Sequence, residues 1–191
     1  MYKTDEKVLI LNGSDADGGI GDSMKAKIEE IFNLANVEEI KLRELDIKPC
    51  VSCFNCWVKT PGKCLIDQYA DEIVQKILAC DRMIWVTDIV FGTYCFTTKK
   101  MMDRLIQVGL PFFKTVKGET RHYERYDKYP SLMIVGIQCD DNSVDRKLFR
   151  KLVARNRLNY TYHDDGLHIV KAEDKDAFDK IFGVAAQKEG A

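Results

Sequence analysis

Four of the seven cysteines in this chain lie within fifteen residues, in the spacing C-x2-C-x2-C-x7-C. They are Cys50, Cys53, Cys56 and Cys64. Thiolates are soft ligands, so this set suits an iron–sulfur cluster, zinc or thiol redox chemistry. One turn of backbone can direct the first three sulfurs at a common centre, and the Pro-Gly pair before Cys64 can turn the chain back to supply a fourth.

Two alternatives to an iron–sulfur cluster remain open from the sequence. A zinc knuckle normally joins two separated ligand pairs, and no second pair follows here, so among metals the spacing favours iron–sulfur over zinc. Cysteine is also a good small buried residue, and the four sulfurs could pack in reduced form without any ligand.

Length, charge and cysteine content predict a single-domain protein without a nucleic-acid or membrane partner. The 191 residues fit a single domain over 1–191, and the formal net charge of -1 does not indicate a nucleic-acid partner. Seven cysteines, an odd number, and a polar start without a signal-peptide pattern predict a cytoplasmic protein rather than a disulfide scaffold. No apolar run approaches the length of a membrane span, so no membrane partner is expected.

Short apolar runs alternate with amphipathic segments along the chain. The predicted strands are 7–12, 37–42, 82–87, 131–137 and 167–171. The predicted helices are 20–32, 69–79, 97–108, 144–158 and 174–186. This alternation predicts an α/β fold, a three-layer αβα sandwich around a five-stranded parallel sheet of order 2-1-3-4-5. The aromatic stretch 110–130 is expected to be an irregular insert and a candidate interface.

The candidate functional residues fall at one edge of this predicted sheet. Ligands of such sheets bind beyond the carboxyl ends of the strands. Those ends carry the Gly13-Ser14 loop and the 88–94 loop, and the cysteine loop follows the second strand to the same edge. A strand, a Gly/Ser loop and a helix in succession present backbone N–H groups to a phosphate.

Three stretches resemble the flavodoxin-like NAD(P)H-dependent FMN reductases, and specifically the iron–sulfur flavoproteins among them. The sequence 11–14, Leu-Asn-Gly-Ser, is similar to the phosphate loop of that family. The four cysteines are similar to its compact cysteine motif. Residues 87–92, followed by Lys99 and Asp103-Arg104, are similar to its Ser-Pro-x-Tyr-x-Gly…Lys…Asp-Arg stretch.

The resemblance implies an FMN-dependent oxidoreductase or electron-transfer flavoprotein of the NAD(P)H-dependent FMN reductase type. It implies a [4Fe-4S] cluster on the four cysteines, a small electron acceptor or redox protein as partner, and a homodimer or homotetramer. The flavin would carry the chemistry, so no catalytic side chain is expected. The residues implied around FMN are Ser14, Gly19, Asp22, Ser23, Thr87, Asp88, Ile89, Val90, Phe91, Gly92 and Tyr94. Trp57, Phe91 and Tyr94 are candidates for stacking on the flavin ring.

The chain departs from this family pattern by adding carboxylates. Asp15-Ala16-Asp17 replaces the usual Pro-Arg, Asp22 follows, and Asp88 replaces the usual Pro. A carboxylate beside a phosphate costs about 1 kcal/mol when exposed and more when desolvated. FMN could still bind through backbone N–H groups. The alternatives are a flavodoxin-like scaffold that has lost FMN and binds a partner, or a zinc-stabilised variant.

Overall fold

The computed structural model of the chain describes residues 5–15, 19–32, 36–116, 118–159, 163–174 and 176–188. Its strands are β1 (Val8–Asn12), β2 (Val37–Lys41), β3 (Arg82–Val90), β4 (Thr93–Tyr94), β5 (Gly109–Val116), β6 (Glu119–Glu124), β7 (Ser131–Gln138) and β8 (His163–Lys171). The main sheet has the order β2-β1-β3-β7-β8, with all these neighbours parallel. The predicted five-stranded parallel sheet and its 2-1-3-4-5 order are therefore confirmed.

Helices cover both faces of the sheet. They are α1 (Met24–Phe32), α2 (Asn55–Val58), α3 (Gln68–Ala79), α4 (Phe96–Arg104), α5 (Ser143–Asn156) and α6 (Ala177–Lys188). Side chains of a strand point alternately to opposite faces, so Val8 and Ile10 pack with α1 and α6. Leu9 and Leu11 pack on the other face with α3, α4 and α5. Since both faces are buried, the strands have the nearly continuous apolar sequences of a parallel sheet.

Most of the stretch 110–130 forms two strands, although the sequence had predicted an irregular insert; residues 125–130 belong to neither helix nor strand. β5 and β6 pair as an antiparallel hairpin, with Gly118 in the left-handed region at φ +78°. Both strands are only half-buried or exposed along their length. A ribbon without one buried face lacks the alternation of polar and apolar residues that identifies a strand, which explains the wrong expectation.

No helix in the described ranges combines the length and apolar character needed to cross a membrane.

Candidate functional site

Asn12, the last residue of β1, organises the turn that follows it. Its side chain is fully buried. Asn12 Oδ1 accepts a hydrogen bond from the backbone N–H of Ser14 at 3.1 Å, and Nδ2 donates to Gly21 O at 3.2 Å. The turn at Ser14 is therefore tied to the 3-10 turn 20–23 that precedes α1.

Gly13 lies directly against the first turn of α4. A Cβ at this position would lie 2.0 Å from Thr98 Oγ1, so only glycine fits. Cys95 Sγ also donates to Gly13 O at 2.8 Å. These contacts hold the loop after β1 against the start of α4, at the carboxyl edge of the sheet.

Asp88 is the anion that this loop binds in the structure. Ser14 Oγ and the backbone N–H of Asp15 donate to its two carboxylate oxygens, each at 2.9 Å. The Asp15 carboxylate accepts a hydrogen bond from Thr97 Oγ1 at 2.8 Å. A carboxylate oxygen of Asp15, one of Asp88 and Cys95 Sγ all lie within 4.8 Å of one another. The donors expected to bind a phosphate thus converge on a carboxylate of the chain itself.

The negative charge of Asp22 is balanced by two cationic side chains. Arg43 Nη2 donates to its Oδ1 at 2.9 Å, and Lys41 Nζ lies 3.3 Å from the same oxygen. Arg43 Nη1 also donates to Ser14 O at 3.2 Å. Two cations therefore neutralise the carboxylate that the sequence had placed beside the phosphate.

The other residues of the predicted phosphate loop are described in part. Gly19 is extended, with φ -73°, at the start of the 3-10 turn. Ser23 Oγ donates to Ile20 O at 2.8 Å. Asp17 lies outside the described residues.

The segment expected to run along the flavin ring is a strand and a tight turn rather than a loop. β3 continues through Asp88 and Ile89 to Val90, and β4 returns beside it. Phe91 and Gly92 form the two-residue turn with φ +49° and +71°, the geometry of a hairpin with a primed turn. Val90 and Phe91 are exposed, Phe91 at 87%. The turn thus presents an apolar tip at the ligand edge of the sheet.

Two residues assigned to the flavin by resemblance belong to the core. Tyr94 is only 4% exposed, and its ring packs edge-on against Phe149 at 5.1 Å between centroids. The stacking role expected for Tyr94 does not fit this position. Thr87 is fully buried, and its Oγ1 accepts the backbone N–H of Cys95 at 3.1 Å.

The four clustered cysteines line one cavity. Cys53 is exposed and the other three are half-buried. Burial raises the pKa of the Cys56 thiol, and the nearby Cys64, Cys50 and Cys53 raise it further. A bound metal group would favour the thiolate form, because cysteine ligands bind metals without their protons.

The separation of the sulfurs bears on which metal group fits. Within the described part of the chain, which includes residues 50–64, no three of these sulfurs lie within 4.8 Å of one another. A tetrahedral zinc ion with Zn–S bonds of about 2.3 Å brings its sulfurs to about 3.8 Å. A four-iron cluster is larger than a single zinc ion and holds its cysteine ligands farther apart.

Trp57 anchors the cysteine loop to the β5–β6 hairpin. Its Nε1 donates to Ile106 O at 3.0 Å and to Gly109 O at 3.1 Å. Its ring lies 5.2 Å from that of Phe54 and 5.0 Å from that of His122. This supports packing, the alternative to flavin stacking for Trp57.

Arg104 is a site residue whose role the sequence did not indicate. Its side chain is 3% exposed, and Nη1 donates to Cys64 Sγ at 2.9 Å. Nε donates to Lys48 O at 2.8 Å, and Nη2 lies 3.6 Å from the Asp67 carboxylate. The preceding residue, Asp103, binds Lys99.

A helical spacing in the sequence could have revealed this burial. Thr98, Met101 and Arg104 recur every three residues on α4, and all three are buried. An arginine on the apolar face of a helix needs buried partners.

Gln107 completes the wall of the cysteine cavity. It is 1% exposed and lines the cavity together with Arg104. Neither Nε2 nor Oε1 of its amide has a hydrogen-bond partner in the part of the chain that the structure describes. A buried amide without hydrogen bonds destabilises the fold, and most buried polar groups in native proteins have a hydrogen-bond partner.

Comparison with known proteins decides the family. The family described as NADPH-dependent FMN reductase matches residues 6–123, which is more than half of the chain. The chain belongs to this family. The match covers the turn at Ser14, the cysteine loop and the β3–β4 turn, so it confirms the resemblance drawn from these motifs.

A curated relative and two solved structures extend this result. An iron-sulfur flavoprotein of Methanocaldococcus jannaschii is 31% identical to this chain over 119 residues. The alignment covers 59% of this chain and 59% of that protein. The alignment thus spans less than two thirds of that relative's length.

Among solved structures, the NAD(P)H:quinone oxidoreductase from Methanothermobacter marburgensis has a TM-score of 0.64 and 10% identity, over 97% of this chain and 96% of that one. An FMN-dependent NADH-azoreductase from Bacillus anthracis, in complex with FMN, has a TM-score of 0.59 and 14% identity, over 96% and 99%. At such identities these two structures show the fold alone.

Proposed function

We propose that this chain is an FMN-dependent oxidoreductase that uses NAD(P)H and carries a [4Fe-4S] cluster on its cysteine loop. It passes electrons to a small acceptor or a redox protein. The observation that carries the proposal is the anion-binding turn after β1, where the Ser14 hydroxyl and the Asp15 N–H converge on one carboxylate in a chain of this family.

The turn at Ser14 fits a phosphate because its donors already form hydrogen bonds with an anionic group, the Asp88 carboxylate. The Ser14 hydroxyl and the Asp15 N–H would hold the FMN phosphate, with the N-terminus of the 20–23 turn beside them. Backbone groups of Ile89 to Gly92 would contact the flavin, and the exposed Val90 and Phe91 would cover it from water. Bound FMN supplies hydride acceptance from the nicotinamide and release of electrons singly or in pairs.

The cysteine cavity fits a [4Fe-4S] cluster on three counts. Cys50, Cys53, Cys56 and Cys64 line it together, and in this described loop no three of their sulfurs lie within 4.8 Å of one another, a wider spacing than the roughly 3.8 Å around a zinc ion. The guanidinium of Arg104 already donates to one of these sulfurs. Hydrogen bonds to ligand sulfurs and nearby positive charge favour the reduced state of such clusters.

Helix α4 connects the two sites. Its first turn carries Thr97 and Thr98, which contact the loop after β1, and its last residue is Arg104. Nine helical residues span about 13 Å. A single rigid element therefore sets the separation between the proposed flavin and cluster sites.

A homodimer or homotetramer in the cytoplasm completes the proposal. The β5–β6 hairpin is the proposed interface, because Phe112, Phe113 and Tyr123 are 66%, 63% and 46% exposed on it. Exposed aromatic residues that cluster on one element are typical of protein interfaces. Sedimentation of the wild-type protein and of a Phe112→Ser, Phe113→Ser variant tests this, and an unchanged sedimentation coefficient would exclude the hairpin.

Anaerobic purification tests the main proposal. The protein should show flavin absorption near ~450 nm, contain iron and acid-labile sulfide in equal amounts, and oxidise NADH or NADPH in the presence of a quinone. A colourless protein that takes up no added FMN would refute the flavin assignment. Zinc in place of iron and sulfide would refute the cluster.

A further inference from the structure

Gln107 is a buried polar residue that lines the cysteine cavity, and its side-chain amide has no hydrogen-bond partner among the described residues. It follows α4 in the 3-10 turn 105–108, is 1% exposed, and lines the same cavity as the four cysteines. Both polar atoms of its amide are without hydrogen bonds among the described residues. Its backbone carbonyl, in contrast, accepts a hydrogen bond from Arg125 Nε at 3.0 Å.

A second buried glutamine, Gln138 at the end of β7, shows how a buried amide in this fold is paired. Gln138 is 2% exposed, its Nε2 donates to Asn142 O at 2.7 Å, and its Oε1 accepts from Arg146 Nε at 2.9 Å. Leaving a buried amide unpaired is destabilising, because the amide has lost its hydrogen bonds to water and gained none in exchange. We therefore expect the Gln107 amide to form hydrogen bonds with a group bound in the cysteine cavity.

The chemistry of the cavity identifies that partner. Gln107 shares the wall with four thiols and with Arg104, whose guanidinium donates to Cys64 Sγ at 2.9 Å. Sulfide and cysteine sulfurs of a cluster accept hydrogen bonds, and an amide NH2 supplies two donors. A neutral amide adds these donors without adding a second buried charge beside Arg104.

We propose that the Gln107 amide donates hydrogen bonds to the metal-bound sulfurs of the cysteine cavity, and that with Arg104 it sets the reduction potential of the group bound there. This proposal rests on the proposed iron–sulfur cluster. Gln107 is a positioning residue, since it acts on the potential through hydrogen bonds and does not ligate the metal.

The proposal predicts opposite effects of one substitution on the empty and the loaded protein. In metal-free protein, Gln107→Leu removes an unpaired amide and should raise the midpoint of urea unfolding. In cluster-loaded protein, the same variant loses hydrogen bonds to sulfur, so loading should stabilise it less than the wild type. Its midpoint potential should fall by up to about 59 mV, a tenfold change in the oxidised-to-reduced ratio for one electron.

Gln138→Leu is the matched control, because it removes a buried amide that has its partners. It should lower the unfolding midpoint of the metal-free protein and leave the midpoint potential of the cluster unchanged. Gln107→Met, which keeps the length of the side chain, is the second variant if leucine does not fit.

The measurements are urea unfolding with and without reconstituted cluster, iron and sulfide content, and a redox titration followed by electron paramagnetic resonance. Equal potentials and equal stabilisation by loading in wild type and Gln107→Leu would overturn the role of Gln107 and leave the proposed function intact. A wild-type protein that takes up no iron and sulfide would overturn the cluster and the role of Gln107 together.

Discussion

Replacing Asp88 with asparagine should strengthen FMN binding, because the Asp88 carboxylate occupies the donors that the FMN phosphate would use. The carboxylate accepts two hydrogen bonds of 2.9 Å, from Ser14 Oγ and the Asp15 N–H. Asparagine keeps the shape and one acceptor oxygen but carries no charge. FMN must displace the aspartate and then bind beside a like charge.

The magnitude follows from charge and exposure. Two like charges 4 Å apart repel by about 1 kcal/mol in water and about 4 kcal/mol near a protein surface. Asp88 is half-buried, so the intermediate range applies. A gain of about 1.4–2.8 kcal/mol corresponds to roughly ten- to hundredfold tighter FMN binding by Asp88→Asn.

The assay is titration of flavin-free protein with FMN and with riboflavin, which lacks the phosphate, followed by quenching of flavin fluorescence. Only FMN should bind more tightly to the variant. Asp103→Asn is the control, since this carboxylate lies near the other end of α4 and binds Lys99. An unchanged ratio of the FMN and riboflavin dissociation constants would refute the reasoning. Weaker FMN binding would mean that Asp88 orders the turn for its ligand.

Three further substitutions test burial and backbone conformation at other positions of the fold. Arg104→Gln leaves the buried Asp67 without its cation and should cost about 3–5 kcal/mol in urea unfolding, whereas Arg155→Gln at the surface should change little. Gly92→Ala puts a Cβ into a residue with φ +71° and should cost about 1–3 kcal/mol by the same assay. Burial raises the pKa of Cys80 to about 12 from 9.0, so the unfolded chain loses this proton first. Stability should therefore fall as the pH rises from 9 towards 12, less steeply in Cys80→Ala, and equal slopes would contradict this.

The sheet and the location of both sites were predictable from the sequence. The parallel strands are buried on both faces, so their apolar runs show in the sequence without reference to distant residues. The loop at Ser14 and the cysteine loop then follow the ends of neighbouring strands. Elements that lack a buried face, such as the β5–β6 hairpin, gave no such signal.

The sequence by itself determined the strand order, the edge of the sheet at which the candidate sites lie and the set of clustered thiols, because these depend on local patterns and on chain direction. Only the tertiary structure decided which groups meet there. Ser14 binds Asp88 across 74 residues, and Arg104 binds Cys64 across 40. The Ser14–Asp88 contact depends on the register between β1 and β3, and the Arg104–Cys64 contact depends on the packing of α4 against the cysteine loop. No local spacing encodes either contact. The burial of Tyr94 against Phe149 and the unpaired amide of Gln107 likewise depend on tertiary packing.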